Sequence, residues 1–286
     1  MIVSTAKKPT PQMIQEAHCV SQRLNLPYVP REAVSRSTRT QSVSRLLDLH
    51  EASFAYIVGR EQHSTAVRHM IRRREDGRSL FVNPRQWPRV QNIGFQNTPL
   101  ARAICDPSDS SNPLRHVVDA TAGLGGTSLR IGHTLGEQCR ITAIEASAPL
   151  ACLLEFGLRG LAAQGKAWSP AASRIACIHS DAEAAFCSLQ DPQPDVIYLN
   201  PCLDLRRPDT MDLFLQTLAK PGSITATCFH RALQVAQRRV VLRVPKAVDP
   251  LVAAHGVVAS RRVLGAQSDY HVFDVEVECR VKKSDT

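Results

Sequence analysis

The chain has 286 residues, 43% of them hydrophobic and 21% charged, proportions that allow a sizeable core to be buried. No run approaches the roughly 18 to 20 uncharged apolar residues of a membrane-spanning helix, and the opening MIVSTAKKPTPQ lacks the apolar stretch of a secretory signal. Nine cysteines, an odd number with no C-x2-4-C pair, argue against a zinc ribbon and a disulfide framework and imply reduced thiols in a cytoplasmic setting.

The net charge of +9 is unevenly spread. From Met1 to Arg115 there are 17 Lys and Arg against 9 Asp and Glu; from His116 onward the figures are 18 and 17. The excess is mostly arginine, including Arg68, Arg72, Arg73, Arg74, Arg78, Arg85 and Arg89. Guanidinium groups bind phosphate bidentately and stack on bases, so an Arg-rich module beside a neutral one points to a structured RNA partner; a solvated basic face without a partner is the alternative.

Along the chain, residues 1–20 are polar and poorly patterned and read as a loose start. LPYVPRE is extended, because each proline pushes its predecessor out of the helical region. QSVSRLLDLHE reads as a helix, FAYIVGRE as a strand, STAVRHMIRRRE as a helix with one basic face and SLFVNP as a strand; Trp87 to Asn97 reads as irregular. Together these make a small α+β module over residues 1–105. The turn formers in CDPSDSSNP, Cys105 to Pro113, mark a boundary, with a second domain over 106–286.

After that boundary, short apolar runs alternate with helical stretches. The strand candidates are His116–Thr121, Arg140–Ala146, Arg174–His179, Asp195–Leu199 and Arg239–Val244. Between the second and third, APLACLLEFGLRGLAAQG places Leu150, Leu153, Leu154, Leu158 and Leu161 on one face. This alternation predicts an α/β domain with a parallel sheet covered on both sides. VVASRRVLG and YHVFDVEVECRV, close together around AQSD, add an antiparallel hairpin at the end.

The strongest local signal is VVDATAGLGGTSLRIG. A buried strand ends at Asp119, glycines follow at Gly123, Gly125 and Gly126, and a helix opens near Thr127. A phosphate-binding P-loop needs a lysine that is absent here. A dinucleotide fingerprint would run from Gly123 to Ser128, with serine in place of the last glycine or alanine. The third reading is a site for S-adenosylmethionine, with small residues alternating as Asp119-x-Thr121-x-Gly123-x-Gly125; this cofactor brings an amino-acid head and no pyrophosphate. Glu145 ends the next strand, 26 residues after Asp119, near the spacing of about 20 for ribose-binding acids. Asp181 ends the third strand, where it could accept the adenine amino group while Ala182 offers a backbone N–H. Each acid alone reads as a helix cap or surface charge; three at consecutive strand ends, on the edge where open α/β sheets bind ligands, favour the cofactor site.

DVIYLNPCLDL puts Asn200-Pro201 at the end of the fourth strand, beside that site. An amide oxygen and a carbonyl stiffened by proline can accept both N–H bonds of an exocyclic amine and turn its lone pair toward a methyl donor. An Asn-Pro turn is the structural alternative. Cys202 has no identifiable helper and reads as a lining residue. His230, His255 and His271 lack metal-ligand spacing, so no metal is expected, and no elbow motif supports a Ser/His/Asp triad.

DATAGLGG, Glu145, IHSDA, the strand with Asn-Pro and RRVVLRVPKAVDPL together resemble the class I methyltransferases. Within them the chain is most similar to the RsmJ family, the 16S ribosomal RNA guanine-N2 methyltransferases. That family shows VVDATAGLG, a Tyr-Leu-Asp-Pro segment and a strand of the type RVVVKRP, which stand here as VVDATAGLG, Tyr198-Leu199-Asn200-Pro201 and Arg239–Pro245; YHVFDVEV is similar to its His-x-Phe-Asp segment. The resemblance spans roughly Leu100 to Val277. It implies a Rossmann-like sheet of order 3-2-1-4-5-7-6 with the last strand antiparallel, and methyl transfer to an amine of ribosomal RNA. It places the cofactor on Asp119, Thr121, Gly123, Gly125, Glu145, Asp181 and Ala182, the target amine on Asn200 and Pro201, and RNA on Arg68, Arg72, Arg73, Arg74, Arg85 and Arg89. The chain departs from the family at Asn200, where the family has aspartate, and at Leu203, where it has Phe or Tyr. A NAD-type oxidoreductase and a methyltransferase-like shell that only binds RNA are the rival readings; a small-molecule methyltransferase would leave the basic module unused.

Overall fold

The computed structural model describes residues 1–31, 39–60, 66–83, 97–106, 112–189, 193–201, 211–219 and 224–275. Arg85, Arg89 and the Cys202-Leu203-Asp204 continuation lie outside these residues.

A four-stranded sheet comes first: β1 (Ile2–Thr5), β2 (Phe54–Arg60), β3 (Val67–Arg73) and β4 (Ser79–Leu80), in that spatial order. The start is not loose. β1 pairs in parallel with β2 from Ile2↔Ala55 to Thr5↔Val58, and α1 (Pro11–Leu24) follows. Thr10 caps α1 by accepting the Met13 N–H at 3.3 Å, Pro11 fits the first turn, and Asn25 ends it in the left-handed region. Its buried stripe is Met13, Ala17 and Val20.

STAVRHMIRRRE is likewise not a helix. β3 pairs antiparallel with β2 along its whole length, Val67 against Arg60 to Arg73 against Phe54. His69, Ile71 and Arg73 are buried at every second position, the two-residue period of a strand. α1 covers one face of this sheet, with Val3, Tyr56, Val58 and Ile71. α2 (Arg39–Leu49) covers the other, where Leu46 and Leu47 pack with Ile2, Ala55 and Ile57.

The second sheet holds seven strands: β5 (His116–Asp119), β6 (Arg140–Glu145), β7 (Ile175–His179), β8 (Val196–Leu199), β9 (Arg239–Pro245), β10 (Arg261–Val263) and β11 (Ser268–Asp274). Their order is β7-β6-β5-β8-β9-β11-β10. Counted within this sheet it is 3-2-1-4-5-7-6, with the seventh strand antiparallel to both neighbours. β5 to β9 read as apolar runs because both faces are covered. On one face lie α3 (Pro99–Ile104), α4 (Gly126–Leu135), α5 (Ala148–Ala162) and α6 (Ser169–Ser173), packed on Val117, Ile141, Tyr198 and Val241. On the other lie α7 (Ala182–Ser188), α9 (Ala226–Val235) and α10 (Pro250–Ala253), packed on Val118, Ile144, Leu199 and Val240.

α5 is apolar on more than one face. Leu154, Leu158 and Leu161 enter the core of the large sheet, whereas Cys152, Leu153 and Phe156 turn to the small one, joined by Phe214 of α8 (Met211–Leu218). A helix buried all round sits between two layers. The leucines expected on a single face are thus divided, and the helix is the joint between the sheets. α3, which precedes the expected boundary at residue 105, packs into the core of the large sheet.

Candidate active site

The parallel strands β5, β6, β7 and β8 bring their carboxyl ends to one edge, and the loop after β5 is stitched to both neighbours there. Toward β8, Ala120 N–H donates to the Tyr198 carbonyl at 2.9 Å, and Thr121 Oγ1 accepts the Asn200 N–H at 2.7 Å. Toward β6, Ala122 N–H donates to the Ile144 carbonyl and Gly123 N–H to Glu145 Oε2, both at 2.9 Å. Loop, acid and Asn-Pro segment therefore form one hydrogen-bonded unit.

Two glycines shape it. Gly123 has φ +55°, and a Cβ built on it meets nothing within 4 Å. The loop thus turns an open side outward where a ligand can approach the backbone. Gly125, at φ +73°, caps α4, and a Cβ there would stand 2.4 Å from Leu154 Cδ1. The N-cap residue Gly125 has no side chain to cap the first N–H groups of α4, so this helix start is an electropositive end facing the loop.

Asp119, 1% exposed, lies beneath the loop. Its Oδ2 accepts from Ser128 Oγ at 2.7 Å and Oδ1 from Thr121 N–H at 3.4 Å. Burial pushes its carboxyl up to about 6 against the pull of those hydrogen bonds. Its observed work is to fix the loop. Glu145 is also buried; its two oxygens accept the N–H groups of Gly123 and Ser147, at 2.9 and 2.8 Å. Burial raises its pKa, opposed by these bonds. Asp181 is exposed at the end of β7 and caps α7 by accepting the Glu183 N–H at 3.0 Å, with Ala182 opening the helix. The acids thus share an edge but differ in depth: Asp119 below, Glu145 against the loop, Asp181 at the rim.

Asn200 is half-buried beside the loop and Pro201 is buried. Asn200 Oδ1 accepts from Arg243 Nη1 at 3.3 Å. Arg243 lies on β9, register-paired with Tyr270 of β11. Sequence reasoning missed Arg243, Ser128 and Arg130. Ser128, fully buried, occupies the position where a dinucleotide fingerprint wants glycine or alanine, and here holds Asp119. Arg130 donates Nε–H to the Gly126 carbonyl at 3.1 Å, and burial lowers its pKa. The signal for Arg243 was its place in VVLRVP, alternating with Val241 on the α4 side of the sheet.

The N-terminal arginines lie on the small sheet. Arg68 sits 4.6 Å from the centre of the Phe81 ring, Arg72 is half-buried, and Arg74 is exposed. Arg73 faces inward. Its Nη2 lies 2.5 Å from Asp76 Oδ2, its guanidinium covers the Phe214 ring, and its bond holds the Asp76 carboxyl well below the usual carboxylate range. Among the described residues no group of three or more His, Cys, Asp or Glu could hold a metal, and no helix is long and apolar enough to cross a membrane. Burial pushes the thiols of Cys139, Cys177 and Cys228 up to about 12, which leaves them unreactive at neutral pH.

Comparison with known proteins gives this edge its context. The model of the SAM-dependent methyltransferase family (SAM_MT) matches residues 79–273. Ribosomal RNA small subunit methyltransferase J of Thioalkalivibrio sulfidiphilus is 33% identical over 199 residues, 68% of this chain and 74% of that protein. The enzyme of the same name from Hydrogenovibrio crunogenus is 26% identical over 271 residues, 91% of each chain. A crystal structure of a SAM-dependent methyltransferase from Neisseria gonorrhoeae superimposes with a TM-score of 0.61 at 21% identity, covering 97% of both chains, and so shares the fold. These matches set aside the dinucleotide reading of the glycine loop. The chain belongs to the class I S-adenosylmethionine-dependent methyltransferases and, among them, to the family of ribosomal RNA small subunit methyltransferase J.

Proposed function

We propose that the protein transfers a methyl group from S-adenosylmethionine to an exocyclic amine of small-subunit ribosomal RNA, the 2-amino group of a guanine, in the cytoplasm. The observation that carries this reading is the 2.7 Å bond between Thr121 Oγ1 and the Asn200 N–H. A single side chain joins the cofactor loop to the segment suited to hold an amine. Support for the RNA comes from the names of the relatives and from the basic excess before His116.

The residues fit the cofactor. The open side of Gly123 leaves room against the backbone, and the uncapped start of α4 offers N–H groups to a carboxylate. A carboxylate has about four lone-pair sites; Glu145 uses one on Gly123 of the loop and one on Ser147, which leaves capacity for ribose hydroxyls. Asp181 and Ala182, at the rim, suit the adenine edge. The cofactor supplies an electrophilic methyl group on a sulfonium sulfur. Asn200 Oδ1 and the carbonyl at Pro201 accept the two N–H bonds of the target amine and aim its lone pair at the methyl carbon. With the cofactor bound, its methyl carbon would be the acceptor for that lone pair, the sulfonium sulfur would leave with the S–C electron pair, and the amine's proton would pass to water. Alignment carries most of the catalysis. Arg68, Arg72 and Arg74 hold phosphates on the small sheet, where the charge of Arg73 is already taken by Asp76.

Asn200→Ala should lower methyl transfer to the small subunit, or to its naked RNA, by about 100-fold or more, with affinity for S-adenosylhomocysteine unchanged. Transfer at the original rate would remove Asn200 from the mechanism. Comparison of modified nucleosides in ribosomal RNA from cells with and without the protein tests the guanine assignment.

A further inference from the structure

Arg243 is placed as if for Asn200. It projects from β9 on the face that carries Asp119 and Tyr198, and its Nη1 donates to Asn200 Oδ1 at 3.3 Å. Among the described residues it makes no ion pair, although Arg130 of α4 contributes like charge to the same region. A half-buried guanidinium set against a neutral amide gives up hydration for little Coulomb return. Stability does not account for the placement.

Its geometry has a chemical consequence for the amide. The oxygen and nitrogen ends of an asparagine side chain are nearly equal in size but opposite in hydrogen bonding. A guanidinium only donates, so it can meet the oxygen end and not the amino end. A carbonyl oxygen has two lone pairs; one is taken by Arg243 and the other remains for an incoming N–H. With the amide reversed, its NH2 group would face the incoming amine and repel it.

We propose that Arg243 is a positioning residue for methyl transfer, locking Asn200 with its amide oxygen as the acceptor for the target amine. This rests on the reading that Asn200 aligns that amine. An aspartate presents an acceptor whichever way it turns, whereas an asparagine needs its orientation set.

The test uses the full-length protein with small ribosomal subunits from cells that lack it. Arg243→Met should lower the single-turnover rate about tenfold, with RNA KM and S-adenosylhomocysteine affinity within twofold, and Arg243→Lys should recover part of the loss. The combination with Asn200→Asp separates positioning from a general structural role. In Asn200→Asp the introduced carboxylate lies beside Arg243, so the acid limb of its pH–rate profile should sit low. Adding Arg243→Met should move that limb up by about one pH unit or more and, because the carboxylate needs no orientation, should cost little rate at neutral pH. An acid limb that does not move overturns the proposal. So does an Arg243→Met enzyme that loses only RNA affinity, since Arg243 would then be an RNA contact. If Asn200→Ala is inactive while Arg243→Met is fully active, this inference alone fails; if Asn200→Ala is fully active, the parent reading fails first.

Discussion

Asp119 shows how one buried carboxyl couples the site to pH. Its pKa is raised from the ordinary 3.8 to about 6 by burial, so the folded state holds its proton more tightly than the unfolded chain. Stability from this group is full below about pH 3.8 and is lost as pH rises through about 6; above that it costs about 3 kcal/mol. Asparagine cannot titrate, and its oxygen can still accept from Ser128. The gap in thermal midpoint between the native protein and Asp119→Asn should therefore shift against the native protein between pH 4 and pH 6.5, then level off. A constant gap across that window would show that Asp119 does not change protonation there. At this scale much was legible: a strand, an acid and alternating small residues are local in sequence and mark the loop directly. Ser128 and Arg243 were not, because their roles come from partners nine and forty-three residues away.

Among the elements, α5 packs tightly between the sheets. Gly157 lies where a Cβ would stand 2.4 Å from Val82 Cγ2 and 2.6 Å from its Cβ. Alanine gains about 1 kcal/mol over glycine in a helix interior, but here the clash opposes it. Gly157→Ala should destabilise by about 1–3 kcal/mol in denaturant unfolding, and Val82→Ala in the same chain should recover most of that loss. A neutral Gly157→Ala would mean that the contact yields easily. The large sheet was readable because apolar runs bounded by turns leave few topologies. The small sheet was not. β1 is four residues long and finds its partner about fifty residues away, so nothing local announces it. At the end of β3 the run of arginines from 72 to 74 suggested a helix face, while the alternation of His69, Ile71 and Arg73 was the better guide. Pairing with β2 decided the outcome, and the same alternation turned Arg73 inward.

For the whole molecule, charge is the property that composition conveyed best. With Arg68, Arg72 and Arg74 all changed to Glu, RNA binding should weaken and its dependence on salt should flatten, by about one in log–log slope for each phosphate that is no longer neutralised. Affinity for S-adenosylhomocysteine should stay as it was. An unchanged slope would mean that RNA is held elsewhere. The shared helix α5 gives these arginines a further property. Cys152, Leu153 and Phe156 are embedded in one sheet while Leu154, Leu158 and Leu161 are embedded in the other, so a single helix is packed into both layers. If those arginines grip RNA, grip and chemistry would be held at a set separation, like the jaws of a caliper. An RNA would then be measured by whether its backbone and its target base are the right distance apart, so that folded shape could be selected without reading a single neighbouring letter.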